Sequence, residues 1–187
     1  MNTYNVAVLG AGKIGYSHIE GYMKHPACRV LALVDKNEER LTAAADRYEI
    51  KYRFQDYKEA LSMKEIHIVS IALPNFLHAE AATVALKAGK HVLCDKPMAT
   101  SFQEAKRMMR AAQKSGRVFM VGQNFRFRED TQIIKSFIDR GELGDIYHAR
   151  ALMLRRNAIP KLGTWFTLKR LSGGGALIDI GVRILDL

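Results

Sequence analysis

Short apolar, β-branched runs alternate with stretches of helical spacing through the first two thirds of the chain. "YNVAVLG" is a buried-looking strand ending in glycine, and "KIGYSHIEGYMKH" follows with helical spacing at Ile14, His18, Ile19 and Tyr22. "RVLALVD" (29–35) predicts a second strand, and "NEERLTAAADRY" a helix with Asn37 as its N-cap. A third strand, "IKYRF", and a short helix, "DYKEALSM", lead to "IHIVSIAL" (66–73). That segment is almost wholly apolar, as a strand covered on both faces is. A helix over 78–88 stops at Gly89, "KHVLCD" is a fifth strand, and Ser101 and Glu104 open the next helix in capping-box spacing. "VFMVG" is a sixth strand. Parallel neighbours need crossover helices, so this alternation predicts an α/β doubly wound parallel sheet.

After Gly122 the pattern changes, which places a domain boundary near residues 121–125. "REDTQIIKSFIDRGELG" predicts a helix with a glycine stop, "DIYHARALMLRR" one long strand over 145–156, and "SGGGA" a turn into an apolar helix over 176–187. The division expected is a dinucleotide-binding domain over 1–122 and an incomplete α+β substrate domain over 123–187. One strand and one unstopped helix cannot enclose a core, so the sequence looks cut or completed by a partner. Residues 1–122 are expected to fold and bind cofactor, and 123–187 to be disordered, self-associated or completed by further sequence.

Composition narrows the class. The net charge of +10 comes from 29 basic and 19 acidic residues, well mixed along the chain. The densest basic cluster, Arg150 to Arg170, carries no aromatic-interleaved recognition module, so no nucleic-acid partner is expected. Such a charge does attract anions, a pyrophosphate included. No apolar run approaches the ~18–20 residues of a membrane span, and the N-terminus has no basic, cleavable leader. Cys28 and Cys94 share no metal or redox spacing and read as small buried residues in a reducing compartment. The expectation is a cytoplasmic protein without metal.

Gly10, Gly12 and Gly15 of "GAGKIG" form G-x-G-x-x-G between a strand and a helix. The first permits the tight turn, the second a close pyrophosphate, and the third helix–strand packing. Ala11, Lys13 and Ile14 complete a turn whose helix N-terminus offers free N–H groups to phosphate. Asp35 ends the second strand 20 residues after Gly15, placed to accept hydrogen bonds from the adenosine ribose. A carboxylate there repels a 2′-phosphate and favours NAD, while Lys36 beside it weakens the preference and keeps NADP in play.

With these residues in place, "VAVLGAGKIGYSHIEGY", "IALPNFLHAEAATVALKAGKHVLCDKPMA", "VGQNFRF" and "GGGALIDIGV" together resemble the Gfo/Idh/MocA oxidoreductases, from residue 4 to the last. The resemblance implies a Rossmann domain, a C-terminal domain whose open sheet often mediates homo-oligomers, and NAD(P)-dependent oxidation or reduction of a sugar, cyclitol or related polyol. It makes Asp95-Lys96-Pro97 the counterpart of the family's E-K-P, with Lys96 beside the nicotinamide and the substrate hydroxyl as the main proton-transfer group. A partly desolvated lysine suits that task; a solvated surface lysine is the alternative. Asp95 is one methylene shorter than the usual glutamate.

By the same resemblance Leu73, Pro74, Asn75 and His78 line the cofactor side, with His78 otherwise a cap or packing residue. Asn124 and Arg126 meet substrate oxygens or form an inter-domain salt bridge, and Trp165 lies near the sugar or in a core. The family's D-x-G-x-H keeps Asp179, which helps position substrate, but Arg183 replaces the histidine. Arginine stays protonated and cannot be a general base. Asp179 and Arg183, four apart on one helix, are expected to pair, with Arg183 a substrate ligand or only a bridge. Two rivals stay open: a non-catalytic NAD-binding module, redox sensor or truncated product, and a non-redox lyase using NAD transiently.

Overall fold

A computed structural model describes residues 3–154, 156 and 162–187. Its centre is one parallel sheet of six strands: β1 (Tyr4–Leu9), β2 (Cys28–Val34), β3 (Tyr52–Phe54), β4 (Ile68–Ile71), β5 (His91–Asp95) and β6 (Phe119–Gly122). The strand order is β3-β2-β1-β4-β5-β6, so the chain reverses direction across the sheet between β1 and β4. In such sheets ligands settle outside the carboxyl ends of the strands at that reversal. The crossovers are α1 (Lys13–Met23), α2 (Glu38–Arg47), α3 (Tyr57–Ser62), α4 (Asn75–Lys87) and α5 (Phe102–Ser115).

The apolar strands divide their side chains between two cores, because successive residues point to opposite faces. Ala7 and Leu9 pack with Val69, Ile71, Val92 and Cys94 against Ala82 and Leu86 of α4 and Met108 of α5. Val6 and Val8 pack with Leu33 against Ile19 of α1 and Leu41 and Ala44 of α2. The elements end where their polar residues dictate. Asn37 accepts from the Arg40 N–H at 2.8 Å and starts α2. Ser101 accepts from the Glu104 N–H at 3.3 Å and starts α5. The Glu104 carboxylate turns to the Thr100 N–H and hydroxyl, one residue before the cap.

Beyond β6 the chain forms a 3₁₀ turn (Asn124–Phe127) and α6 (Glu129–Asp139), which buries none of its residues. The long strand expected over 145–156 is absent from its described part: residues 146–154 have no regular structure, and Tyr147, Leu152 and Leu154 are exposed. A strand exists through ladder bonds to a neighbour, and no described segment pairs with this one. Arg155 lies outside the described residues, as do 157–161, which include the first three residues of "IPKLGT".

The last stretch is not loose. A 3₁₀ turn (Trp165–Thr167), α7 (Lys169–Ser172), a π segment (Leu177–Gly181) and α8 (Val182–Leu185) follow in order. They dock on the carboxyl edge of the sheet, where Asn75 Nδ2 donates to the buried Ser172 carbonyl at 2.8 Å. The helix expected over 176–187 is present in substance, but it begins as a π turn. Among the described residues no helix is long and apolar enough to cross a membrane.

Candidate active site

The turn from β1 into α1 shows three glycines held for three different reasons. Gly10 has φ of 107°, and a Cβ on it would lie 2.5 Å from the Ala72 carbonyl oxygen. A Cβ on Gly15 would lie 1.9 Å from the Gly10 oxygen, so helix and strand touch through the missing side chain. Gly12 is different. A Cβ there meets nothing within 4 Å, and its φ of −84° suits any residue. The fold itself therefore does not require glycine at this position, and the open space over Gly12 is the place where the motif would admit a pyrophosphate. Lys13 and Ile14 open α1 and are exposed, while Ala11 is buried.

Asp35 directly follows β2 and is buried against this turn. Its Oδ2 accepts from the Ala11 N–H at 2.9 Å, and its Oδ1 from the Asn37 N–H at 2.8 Å. Arg40, in the first turn of α2, donates to the same Oδ1 at 3.0 Å. The motif spacing singled out Asp35 but not Arg40. A basic residue five positions on, over the same helix start, was the available signal. Lys36 beside them is exposed and has no part in this cluster.

At the end of β4, Leu73 and Pro74 lead straight into α4, which begins at Asn75 rather than at residue 78. Pro74 supplies a fixed φ at the start, where its missing N–H is harmless. Asn75 is sealed by the Ser172 contact. His78 is 1 % exposed, with Nδ1 2.8 Å from the Pro97 carbonyl and Nε2 2.8 Å from the Leu73 carbonyl. Its ring thus joins the loops after β4 and β5, and no ring nitrogen is left to face an open pocket.

Lys96 follows β5 and precedes a cis proline peptide. Its side chain is 7 % exposed, so it is no surface lysine. Nζ donates to Asp179 Oδ1 at 2.7 Å and to the Asp179 carbonyl at 2.8 Å, across 83 residues of sequence. An ammonium has three N–H donors, which leaves one of them for a ligand. Asp95 ends β5 in register with Gly122 of β6, and the Lys96 ammonium pairs with Asp179 rather than with the Asp95 carboxylate. Behind the strands, His18 shares a hydrogen bond of 2.8 Å with Ser70. Burial pushes the His18 pKa down, and the Asp95 charge partly opposes that shift.

The expected Asp179–Arg183 pair does not form. The π segment adds a residue to the turn between them, so the two no longer stack as i and i+4 neighbours. Lys96 takes the carboxylate instead. The Arg183 guanidinium lies 5.4 Å from the Phe125 ring centre, and its buried Nε has no hydrogen-bond partner among the described residues. Arg126 is held by both Asp186 oxygens at 2.6 Å each, a bridge within residues 123–187 rather than the inter-domain bridge that the sequence left as an alternative to substrate contact. Asp186 carried no signal in the sequence. Asn124 is exposed, and Trp165 is half-buried against its neighbour Phe166.

Residues 4–123 match the family model described as an oxidoreductase family, NAD-binding Rossmann fold, and residues 131–187 match a GFO/IDH/MocA C-terminal domain. The chain is 36 % identical over 182 residues to the D-glucoside 3-dehydrogenase of Escherichia coli K12, covering 97 % of this chain and 52 % of that protein. It is 33 % identical to the levoglucosan dehydrogenase of Pseudarthrobacter phenanthrenivorans, covering 100 % of this chain and 50 % of that one. Among solved structures, levoglucosan dehydrogenase in complex with NADH and L-sorbose superposes with a TM-score of 0.88 at 31 % identity, over 100 % of this chain and 52 % of that one. The chain spans about half the length of the curated relatives it matches.

Proposed function

The chain belongs to the Gfo/Idh/MocA oxidoreductase family, and on that premise we propose that it is the nucleotide-binding half, with the start of the substrate domain, of an NAD-dependent dehydrogenase. Its substrate class is a sugar, cyclitol or related polyol, oxidised or reduced at one CH–OH carbon. The observation that carries this reading is the buried Lys96 ammonium held on Asp179 at the carboxyl edge of the sheet. Residues 1–122 are read as the dinucleotide-binding domain and 123–187 as the beginning of the substrate domain.

The glycine-rich turn and the start of α1 would hold the pyrophosphate, and Asp35 the adenosine ribose. The open space at Gly12 and the fixed Asp35 carboxylate fit that ligand. When bound, the nicotinamide supplies the hydride acceptor or donor. This chain's own residues handle the proton. In the reductive direction Lys96 donates through its remaining N–H to the substrate carbonyl oxygen, which becomes the hydroxyl as hydride reaches the carbon. In the oxidative direction the same nitrogen, deprotonated, takes the O–H proton. Asp179 holds Nζ from two oxygens and limits its orientation, so the remaining donor has a set direction. Arg183 cannot act as a base and is read as a substrate-side cation with Asn124. Trp165 is kept as a wall of that pocket, and Arg126 with Asp186 as a clamp on the last helix.

The α6 stripe of Ile133, Ile134, Phe137 and Ile138 is exposed. A patch of that kind supports association of copies through the second half of the chain.

Two measurements test the cofactor part. NADH is expected to bind more tightly than NADPH by calorimetry, and Asp35→Ala to narrow the gap by removing the charge that repels a 2′-phosphate. Tighter NADPH binding by the unaltered chain would overturn the assignment. The substrate class is tested by turnover with a panel of sugars and cyclitols, where activity only on compounds without a CH–OH group would contradict it.

A further inference from the structure

Lys96, Arg126 and Arg183 gather at the carboxyl ends of β5 and β6, and the first two are neutralised. Asp179 holds Lys96, and Asp186 holds Arg126. Arg183 has no carboxylate partner among the described residues, and its guanidinium makes no hydrogen bond to any of them. Asp95, in register with Gly122 at the same edge, acts on His18 behind the strands.

The Arg183 side chain is nonetheless held in place. Its guanidinium carbon lies 5.4 Å from the Phe125 ring centre, and its Nε is buried. Phe125 belongs to the turn that leaves β6, and β6 pairs with β5, the strand that delivers Lys96. Asp179, four residues before Arg183, ties the same last segment to Lys96. Ring, guanidinium and ammonium thus share one stretch of the sheet edge, and stacking presents the two terminal nitrogens as a planar fork. A partly buried cation without a counter-ion is unfavourable, and an anion that arrives with the substrate removes that cost. A single guanidinium matches a carboxylate, with two N–H groups facing two oxygens and one charge facing one. A phosphate monoester carries ~1.5–2 negative charges and would meet only this one unpaired cation.

We propose that Arg183 forms a carboxylate-binding subsite, so that the substrate is a sugar acid or related polyol carrying a carboxylate rather than a neutral polyol. Lys96 serves the reacting hydroxyl, and Arg183 holds the acid group of the same molecule. This assignment rests on the dehydrogenase reading above and narrows its substrate class.

The test is calorimetric titration of the NADH-loaded protein with matched pairs: D-glucuronate and D-glucose, D-galacturonate and D-galactose, with glucose 6-phosphate as a further arm. The unaltered protein, Arg183→Gln and Arg183→Lys are compared, and NADH titration with circular dichroism checks that each is folded and loaded. In at least one pair the acid is expected to bind the unaltered protein about tenfold or more tightly than its neutral partner, the scale of one charge-assisted contact. Arg183→Gln should bring that ratio near one, and Arg183→Lys, which keeps the charge but not the fork, should fall between. Acids that bind no better than their neutral partners in both pairs, or a ratio unchanged in Arg183→Gln, overturn the subsite. Tighter binding of glucose 6-phosphate than of either acid also overturns it, in favour of a phosphate. None of these results touches the dehydrogenase reading, which fails separately if the unaltered chain does not bind NADH.

Discussion

Replacing Lys96 by alanine is expected to lower turnover by ~10²–10⁴-fold, the range of a lost acid–base group, while NADH affinity stays within several-fold. The split follows from where Lys96 sits. Among the described residues its Nζ is engaged only by Asp179, at the carboxyl edge of the sheet, whereas the proposed pyrophosphate and ribose contacts belong to the Gly10–Gly15 turn and Asp35. Removing the ammonium leaves Asp179, 24 % exposed, within reach of water, so the charge left behind is hydrated rather than stranded. Lys96→Met keeps the volume and removes the donor, so it should match the alanine variant. Lys96→Arg keeps the charge but cannot give up its proton, and should be nearly as slow. Turnover within a few-fold of the unaltered enzyme for Lys96→Ala would contradict the assignment.

Alanine at Gly15 and alanine at Gly12 should fail in opposite ways. The Gly15 Cβ falls 1.9 Å from the Gly10 oxygen, a backbone atom that no side-chain rotation can clear. Overpacking typically costs ~1–3 kcal/mol and occasionally more, and this rigid contact belongs at the upper end. That is a large share of a net stability of ~5–15 kcal/mol. Gly15→Ala should therefore lower the denaturation midpoint sharply, or prevent folding. Gly12→Ala should leave that midpoint nearly unchanged, because its Cβ meets no protein atom, and should instead obstruct NADH. Chemical denaturation and NADH titration on both variants decide the matter. A Gly12→Ala chain that binds NADH normally would show that the space over this residue is not the pyrophosphate site.

The first 122 residues could be read from the sequence because each local signal agreed with its neighbours. Apolar strands, the Asn37 and Ser101 caps and helical spacing all pointed to one alternation, and the sheet of six parallel strands repeats it. Lys96 and Asp179 were each legible from motifs, but their contact was not, since nothing in local spacing joins residues 83 apart. The expected Asp179–Arg183 pair failed for a specific reason: the pattern assumed α geometry where the backbone takes a π turn. The strand over 145–156 failed because alternation shows only that a segment suits a sheet, while forming one needs a partner strand. Arg126 and Asn75 were legible as polar residues near the edge, but their partners, Asp186 and the Ser172 carbonyl, are set by how the last helices dock.

The central claim is that Lys96 handles the substrate proton. A crystal structure of the protein with NADH and a sugar or cyclitol tests it most directly, through the distance from Lys96 Nζ to the oxygen on the carbon facing the nicotinamide. The account predicts a hydrogen bond of about 2.7–3.2 Å from the third N–H, with both Asp179 contacts kept. A substrate oxygen that lies beyond hydrogen-bond reach of Nζ, bound instead by another titratable side chain, would contradict it.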